Sequence, residues 1–395
     1  MTGKSIAIQA GKVITPHETI PHGVVVVLGQ RIAAVGRLEE LKIPPDAEVI
    51  DVGDKIAAPG FIDIHVHGWG GLNLGESEDA TRQVAQFMAR NGTTSFLPTL
   101  GAAGGSLDSA FASLSAVRTA MQHGTGAAEI LGVHLEGPYL SGAETARGSV
   151  STDSIRPPSV EEFQRLFEAS EGTLRVMSIA PELDGALAVI REMVKQGVVP
   201  SAAHSAATYE QVMAAVDAGL RSVTHTFNGM IPMHHRKPGL MGAVLTCDKM
   251  NAELIADGHH VGSVAMQVLI RCKGPDKVTL VTDTTYMAGM PNGTYSIGGG
   301  RTVIKETYKA SVVGGTLYGS VSPMNRDVAN IVQLVGRSLG EASRMASLNP
   351  AKLIGVGARK GSLEIGKDAD LVVLDEEFNV HLTMVKGQVV YRADA

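Results

Sequence analysis

The sequence has 395 residues, 44% hydrophobic and 19% charged, which is the balance of an ordinary globular protein. Its net charge of −6 and a sequence pI near 6.1 give no support for nucleic-acid or anionic-membrane partners. The two cysteines, Cys247 and Cys272, argue against a disulfide framework or a cysteine-based zinc site. The first residues lack a sustained apolar stretch, and no segment reaches transmembrane length, so we expect a cytoplasmic protein.

The two ends of the chain share a β-rich pattern. Residues 5–53 contain short runs of β-branched residues broken by glycines, and the final GSLEIGKDADLVVLDEEFNVHLTMVKGQVVYR has the same character. We therefore expect residues 1–57 and 356–395 to pair into one small β-sandwich. Residues 58–355 would form a separate domain inserted between them.

The middle of the chain alternates apolar runs with amphipathic helical patterns. Eight candidate strands can be counted: GFIDIHVH, TTSFLPTL, EILGVHLEG, LRVMSIAPE, VVPSAAHS, SVTHTFNG, NAELIADGHHV and KVTLVTDTT. Capping boxes at Ser159–Glu162 and Thr208–Gln211 predict two of the helix starts. This alternation predicts an α/β fold, a (β/α)8 TIM-like barrel. A doubly wound open sheet is the alternative, but its phosphate-binding glycine fingerprint is absent after the first strand.

Side chains that can bind a metal or move a proton lie at the carboxyl ends of five of these strands. They are His65, His67, Glu136, His204, His225 and Asp283. The carboxyl ends of barrel strands converge on the face that carries active sites, so these six side chains should meet. If His65 and His67 stood alone, they could be ordinary hydrogen-bonded histidines at a strand edge. That explanation does not account for six such side chains on five strands.

Histidine nitrogen combined with carboxylate oxygen suits zinc, iron or a similar divalent ion. Six ligands exceed what one catalytic ion with an open position needs. We therefore expect one or two divalent ions as cofactors. In the binuclear arrangement, the residues of strands one and eight bind one ion, the histidines of strands five and six bind the other, and Glu136 lies between them. A carboxylated lysine is not needed, because strand four ends in MSIAPE without a lysine.

The motif PGFIDIHVHG and the plan of a β-sandwich with a barrel resemble the amidohydrolase superfamily. Further motifs resemble the N-acetylglucosamine-6-phosphate deacetylase family: GVHLEGPYL, HSAAT, THTFNGM, HHRKPG, IADGHHV, VTDT and NPAKLIGVGARKGSLEIGKDADLVVLD. The resemblance covers nearly the whole chain. HLEGP together with HxH and HHRKPG is a specific combination, whereas GKDADLVVLD alone indicates only an amidohydrolase.

The resemblance implies metal-dependent hydrolysis of the acetamide of N-acetyl-D-glucosamine 6-phosphate to glucosamine 6-phosphate and acetate, in amino-sugar catabolism. Asp283 would take a proton from the attacking water and pass it to the sugar nitrogen, as general base and then acid, while also binding metal. The partners implied are a small amino-sugar phosphate and a second copy of the chain in a homodimer.

Four residues are candidates for substrate binding. The FNG segment after strand six offers the Asn228 amide and the Gly229 backbone N–H to an anion, and Arg236 in HHRKPG can hold phosphate through two hydrogen bonds. In the resembled family this arginine reaches into the neighbouring subunit's site, and His260 in DGHHV matches a substrate contact. We expect His134 to support the metal ligands rather than to join them.

One segment departs from the family pattern. A family histidine that helps to polarise the acetyl carbonyl is expected shortly after HLEGP, but residues 146–150 read ARGSV and Val150 takes its place. The substrate could therefore be an isomeric sugar such as N-acetylgalactosamine 6-phosphate, or another amide. Two other functions fit the sequence less well. A metal-free interaction scaffold would have lost some of the ligand residues, and all six are present here. A glycosidase with paired carboxylates would not need four histidines.

Overall fold

The structure is a computed structural model that describes residues 4–101, 106–148, 150–314 and 317–394. Its strands are β1 (Ser5–Ile14), β2 (Thr19–Leu28), β3 (Arg31–Arg37), β4 (Glu48–Asp51), β5 (Ile56–Pro59), β6 (Phe61–Val66), β7 (Gly68–Trp69), β8 (Leu72–Asn73), β9 (Thr93–Gly101), β10 (Glu129–Ile130), β11 (Val133–Glu136), β12 (Leu174–Ile179), β13 (Val199–Ala202), β14 (Ser222–Val223), β15 (Asn251–Leu254), β16 (Val278–Leu280), β17 (Gly293–Ile297), β18 (Arg301–Lys305), β19 (Ala310–Val312), β20 (Leu371–Leu374), β21 (Val380–Val385) and β22 (Gln388–Arg392).

The α-helices are α1 (Glu78–Arg90), α2 (Leu107–His123), α3 (Glu144–Arg147), α4 (Val160–Ala169), α5 (Ala186–Lys195), α6 (Tyr209–Ala218), α7 (Gly239–Thr246), α8 (Ser263–Lys273), α9 (Met324–Gln333), α10 (Leu339–Ala346) and α11 (Leu348–Leu353). Short 3-10 turns lie at Thr152–Ser154, Pro275–Lys277 and Gly298–Gly300. Within the described ranges, no helix has both the length and the apolar composition that crossing a bilayer requires.

Both ends of the chain contribute to one sheet, as the sequence predicted. Its strands run in the order β22-β21-β20-β5-β1-β2-β3, and β4 pairs with β1. The antiparallel pairing of β20 with β5 joins the C-terminal strands to the N-terminal strands. Apolar side chains from both ends, including Ile8, Val25, Leu371 and Leu382, pack into a core of their own.

All eight barrel strands predicted from the sequence are present and parallel. They pair in the order β6-β9-β11-β12-β13-β14-β15-β16, and β10 adds to β9. The chain just after β16 completes the ring, because the Asp283 N–H donates to the His65 carbonyl and the His67 N–H donates to the Thr284 carbonyl, both at 2.8 Å. These two bonds place the ends of the first and last barrel strands beside each other.

The helices that follow the barrel strands begin where the capping residues predicted. Thr208 and Gln211 form the complete capping box of α6. Ser159 accepts from the Glu162 N–H at the start of α4, but the Glu162 side chain bonds to Arg156 at 2.8 Å instead of completing the box. That second box is therefore present only in half.

A small antiparallel sheet, β17-β18-β19, is inserted between β16 and α9. The sequence analysis did not predict it, because its strands are short and carry few buried side chains. Val303 and Ala310 are its buried apolar residues. The insertion follows the last barrel strand and so lies on the side of the barrel that carries the strands' carboxyl ends.

Candidate active site

The barrel brings all six predicted metal ligands to one place. His65 and His67 come from the end of β6, and Glu136 ends β11. His204 and His225 follow β13 and β14 by two residues each, and Asp283 follows β16 by three. Parallel strands of a barrel end on the same face, so residues far apart in the sequence meet there.

The Nε2 atoms of the four histidines face the two carboxylates. Glu136 Oε1 lies 3.0 Å from His225 Nε2 and 3.3 Å from His204 Nε2, while Glu136 Oε2 lies 3.4 Å from His67 Nε2. Oε1 also lies 3.7 Å from His65 Nε2, so this carboxylate faces the histidines of β6 as well as those that follow β13 and β14. A side chain placed in this way can bridge two ions.

Asp283 lies on the side of the cluster formed by the first strand. Its Oδ1 atom is 3.2 Å from His67 Nε2 and 3.4 Å from His65 Nε2, and those two nitrogens are 3.2 Å apart. Three groups in this region have their ligand atoms close enough to hold a metal ion: His65 with His67 and Glu136, Glu136 with His204 and His225, and the buried set of His65, His134 and Glu253.

The second ring nitrogen of each histidine already has an acceptor. Nδ1 of His67, His204 and His225 lies 3.1–3.2 Å from a backbone carbonyl oxygen, and Nδ1 of His65 lies 3.2 Å from Glu253 Oε2. Carbonyl and carboxylate oxygens only accept, so Nδ1 must carry the proton. The Nε2 lone pairs are then free to bind a cation, which is the usual arrangement around metal-bound histidine.

Glu253 was not among the candidate residues identified from the sequence. It is fully buried in β15, and its Oε2 atom accepts from both His65 Nδ1 and the His225 backbone N–H, each at 3.2 Å. Burying a carboxylate is costly unless it is paired or hydrogen-bonded. A glutamate inside the apolar NAELIA strand was therefore the sequence signal that could have identified Glu253 as part of the site.

Three of the proposed ligands have strained backbones. His204, His225 and Asp283 have φ values of 44°, 31° and 50°. Residues other than glycine rarely occupy this left-handed region, and each such residue costs on the order of 1–3 kcal/mol that the surrounding structure must offset. Strain at strand ends that share a polar cluster is typical of a functional site.

The ionisation of the cluster reflects its opposing charges. Burial disfavours the charged form of His65, but Asp283 and Glu136 outweigh burial and raise its pKa to about 10. Burial works against ionisation of Asp283, yet His65 and His67 lower its pKa to about 2. The pKa of Glu136 is also held well below its usual range, against burial, by His65 and His204. The ionised carboxylates can therefore attract cations, and a divalent ion can replace the histidine protons.

His134 lies beneath the cluster, as predicted for a supporting residue. Its Nδ1 donates to the Ile64 carbonyl at 2.9 Å, and its Nε2 is 2.9 Å from Ser178 Oγ, so both nitrogens are engaged. Burial, reinforced by repulsion from His65, lowers its pKa to about 4. A neutral ring whose two nitrogens are both bonded supports its neighbour and leaves no lone pair for a metal.

Asn228 and Gly229 lie in the turn after β14. The Asn228 side-chain amide donates to the carbonyls of His225 and Thr226, so it holds the turn together. Gly229 has φ of 61°, and a Cβ atom there would lie 2.6 Å from His204 Nδ1. The close approach of this turn to a proposed ligand therefore requires glycine.

His260 is held in place by a carboxylate that the sequence analysis did not single out. Its Nδ1 donates to Asp257 Oδ2 at 2.7 Å, and Asp257 Oδ1 accepts from the backbone N–H groups of His259 and His260. Arg236 is different, because it is exposed and its guanidinium lies 2.7 Å from His235 Nε2 in the same loop.

The segment that departs from the family pattern lies against His204. The Ala146 carbonyl is 3.2 Å from His204 Nδ1, and a Cβ atom on Gly148 would be 3.3 Å from His204 Cε1. Val150 is half-buried, and its carbonyl accepts from Arg147. Ser149 lies outside the described residues.

The family model described as "Amidohydrolase family" matches residues 56–390, which include the barrel and every residue of the polar cluster. The chain belongs to the amidohydrolase family. Its relatives include the N-acetylgalactosamine-6-phosphate deacetylase of Escherichia coli O157:H7, 38% identical over 88% of this chain and 90% of that one. Another is the N-acetylglucosamine-6-phosphate deacetylase of Bacillus subtilis (strain 168), 32% identical over 98% of both chains.

A solved structure from Mycobacterium smegmatis has the same fold over nearly the whole chain. It is a mutant N-acetyl-D-glucosamine-6-phosphate deacetylase in complex with N-acetyl-D-glucosamine-6-phosphate, 33% identical to this chain. The TM-score is 0.89, and the match covers 98% of this chain and 100% of the other. The expected resemblance to deacetylases of this kind is confirmed.

Proposed function

We propose that the protein is a metal-dependent deacetylase that hydrolyses N-acetyl-D-glucosamine 6-phosphate to glucosamine 6-phosphate and acetate. One observation carries this proposal: the four histidines and two carboxylates converge. Each histidine Nε2 lies 3.0–3.7 Å from at least one carboxylate oxygen of Glu136 or Asp283. Relatives of this activity match nearly the whole chain.

The residues present fit one or two divalent ions, zinc or iron among them. His65, His67 and Asp283 would hold one ion, and Glu136 would be shared with an ion on the His204 and His225 side. This donor set suits these metals because it combines neutral imidazoles with ionised carboxylates. A bound ion would supply the Lewis-acid chemistry that makes water a competent nucleophile near neutral pH and polarises the amide carbonyl.

Asp283 would perform the proton transfers. Its pKa near 2 keeps it ionised at neutral pH, so it can accept a proton from the water that attacks the acetyl carbon. It would return that proton to the amide nitrogen as the carbon–nitrogen bond breaks, which allows the amine to leave. Asp257 would hold His260 in a fixed orientation toward the substrate, because their bond fixes the imidazole ring.

Asn228, Gly229 and Arg236 would bind the sugar phosphate. We place Arg236 in the neighbouring subunit's site of a homodimer, because within its own chain it is exposed and bonds only to its own loop among the described residues.

The boundaries at residues 57/58 and 355/356 remain our proposed domain limits, and the cytoplasmic location remains a prediction.

N-Acetyl-D-galactosamine 6-phosphate is the second candidate substrate. The 38% identical relative from Escherichia coli O157:H7 bears that activity in its name, and Val150 stands where a histidine was expected. Acetate release should be measured with metal-loaded protein and both epimers, each with and without the phosphate. A higher kcat/KM for the gluco epimer supports the proposal, and a higher value for the galacto epimer replaces it with the second candidate.

A further inference from the structure

A cavity of about 460 Å³ opens at the end of the barrel opposite the candidate active site. Its lining includes Val199 and Asn251, which begin β13 and β15, together with Arg221 and Lys277, which directly precede β14 and β16. The proposed metal ligands lie at the carboxyl ends of these strands or just beyond. The two sites are thus separated by the length of the barrel strands.

Positive charge dominates the lining of this cavity. The cationic side chains are Arg221, Lys249, Lys277 and Lys352, and the single acidic one is Asp276. Asp276 Oδ1 is already bonded to the Arg344 guanidinium at 2.5 Å, so its charge is neutralised by a residue outside the lining. The rest of the lining therefore carries a local excess of positive charge on a protein whose net charge is −6.

The three lysines have no carboxylate within ion-pair distance in the described part of the chain, and all three are exposed. The fourth cation is fixed, because Arg221 Nη1 donates to the carbonyls of Val216 and Leu220 at 3.0 and 2.8 Å. A concave surface lined by charges of one sign concentrates its field and raises the local concentration of oppositely charged molecules.

The remaining wall of the cavity is partly apolar, with Asn251 and Asn349 as its polar residues. Val194, Val198 and Leu353 contribute to it, and Val198 is buried. Small-molecule sites in proteins are typically about 300–1,000 Å³, with an apolar surface and a few polar groups that fix orientation. The combination of an apolar wall with several cations suits a small molecule that has an uncharged body and a multiply charged group.

We propose that this cavity binds a small phosphate monoester, separately from the proposed deacetylase site. The fixed Arg221 guanidinium and the ammonium groups of Lys277 and Lys352 would hold the phosphate, because charged donors form the strongest hydrogen bonds to phosphate oxygens. The organic body would lie against the apolar wall. The proposal does not depend on which substrate the active site hydrolyses.

The test uses isothermal titration of metal-loaded protein with glucose 6-phosphate, inorganic phosphate and glucose. Glucose 6-phosphate has no acetamide, so it cannot be consumed. Each hydrogen bond to a charged group is worth about tenfold or more in affinity, so the Lys277→Ala/Lys352→Ala double variant should bind glucose 6-phosphate at least tenfold more weakly. Inorganic phosphate should bind more weakly than the ester, and glucose should not bind.

Two controls separate this cavity from other sites. Lys42→Ala removes an exposed lysine of the terminal sheet region, and Arg236→Ala removes the proposed phosphate contact of the active site, so neither should reduce binding in the cavity more than twofold. Unchanged binding in the double variant would overturn the proposal. So would loss of all binding in Arg236→Ala, or the absence of binding to the unaltered protein.

Discussion

Glu253 links two of the proposed metal ligands through one carboxylate oxygen, which accepts from His65 Nδ1 and from the His225 backbone. Its negative charge increases the basicity of the His65 ring and fixes which nitrogen faces the cluster. Glu253→Gln keeps the size of the side chain but removes that charge. We expect about 10- to 100-fold weaker metal binding, measured by competition with a chelator.

Thr226→Val is the matched control for this variant. Thr226 lies next to His225, its buried hydroxyl has no hydrogen-bond partner among the described residues, and valine has nearly the same shape. It should bind metal as the unaltered protein does. If both Thr226→Val and Glu253→Gln retain full metal affinity, Glu253 has no role in positioning His65.

Asp283 is the residue on which the proposed chemistry most depends. Asp283→Asn keeps the shape of the side chain and removes its ability to accept a proton. We expect kcat to fall by about 10²–10⁴-fold, the usual contribution of a general acid–base group. The measurement requires protein whose metal content has been verified, so that loss of a ligand is not mistaken for loss of the base. Near-normal turnover in such protein would refute the role.

At the level of single residues, the sequence predicted that the six proposed ligands would meet, but not which residues hold them in place. Their positions followed from where the apolar runs end, which a sequence displays directly. Glu253 and Asp257 were missed because their roles depend on which neighbouring strand each side chain faces. That information lies in the pairing of β14 with β15 and in the turn after β15, not in a local pattern.

Among the elements, the loop between β14 and α7 carries the proposed phosphate contact, Arg236. A charged contact remote from the reacting amide should contribute mainly to binding. Hydrogen bonds to charged groups contribute ~1.5–3 kcal/mol, so Arg236→Ala should lower kcat/KM by about 10- to 150-fold. Lys237→Ala in the same loop is the control and should lose much less. The loss should largely vanish for a substrate without phosphate.

Mixed dimers test whether this arginine crosses the subunit interface. Subunits with Arg236→Ala are combined with subunits inactivated by Asp283→Asn, and subunit exchange is verified. One site of each hybrid would then have an intact Asp283 and receive Arg236 from its neighbour, so some activity should return. Verified hybrids without any recovery would place the arginine outside the neighbouring site.

The elements differ in how much the sequence says about them. The eight barrel strands were predicted because each is an apolar run bounded by turn residues and followed by a helical pattern. The insertion β17-β18-β19 was missed because its side chains are mostly exposed, so little burial is imposed on their pattern. Hydrophobic periodicity arises from burial of one face of an element, so a small exposed sheet produces only a weak pattern in the sequence.

Across the whole molecule, one buried ion-pair network joins the barrel to the terminal sheet. Lys360 is almost fully buried and contacts Glu129 at the amino end of the barrel at 2.6 Å and Asp370 beside β20 at 2.5 Å. Lys386, just after β21, also reaches Glu129, at 2.8 Å. Burial opposes ionisation of Glu129, but Lys360 and its neighbours outweigh burial and lower the pKa from 4.5 to about 2.

Glu129→Gln should therefore destabilise the protein in a pH-dependent way. A pKa lowered from 4.5 to about 2 corresponds to about 3 kcal/mol of stability at pH 7, and removing one partner of a buried pair costs a similar amount. Because the folded pKa is the lower one, this contribution is complete above about pH 4.5 and is lost as the pH falls toward 2.

Denaturant unfolding of Glu129→Gln and the unaltered protein at several pH values measures this difference. Glu39→Gln, which alters an exposed carboxylate without an ion pair among the described residues, is the control and should differ little at any pH. A Glu129→Gln deficit that stays constant from pH 7 to pH 2.5 would show that the charge of Glu129 does not stabilise the fold.

The central claim is that six side chains from five barrel strands hold divalent ions for deacetylation. The most direct measurement is acetate release from N-acetyl-D-glucosamine 6-phosphate by metal-free protein as ions are added back, with metal content determined per chain. We expect negligible release without metal and a rise that saturates at two bound ions. Undiminished release from metal-free protein would contradict the claim.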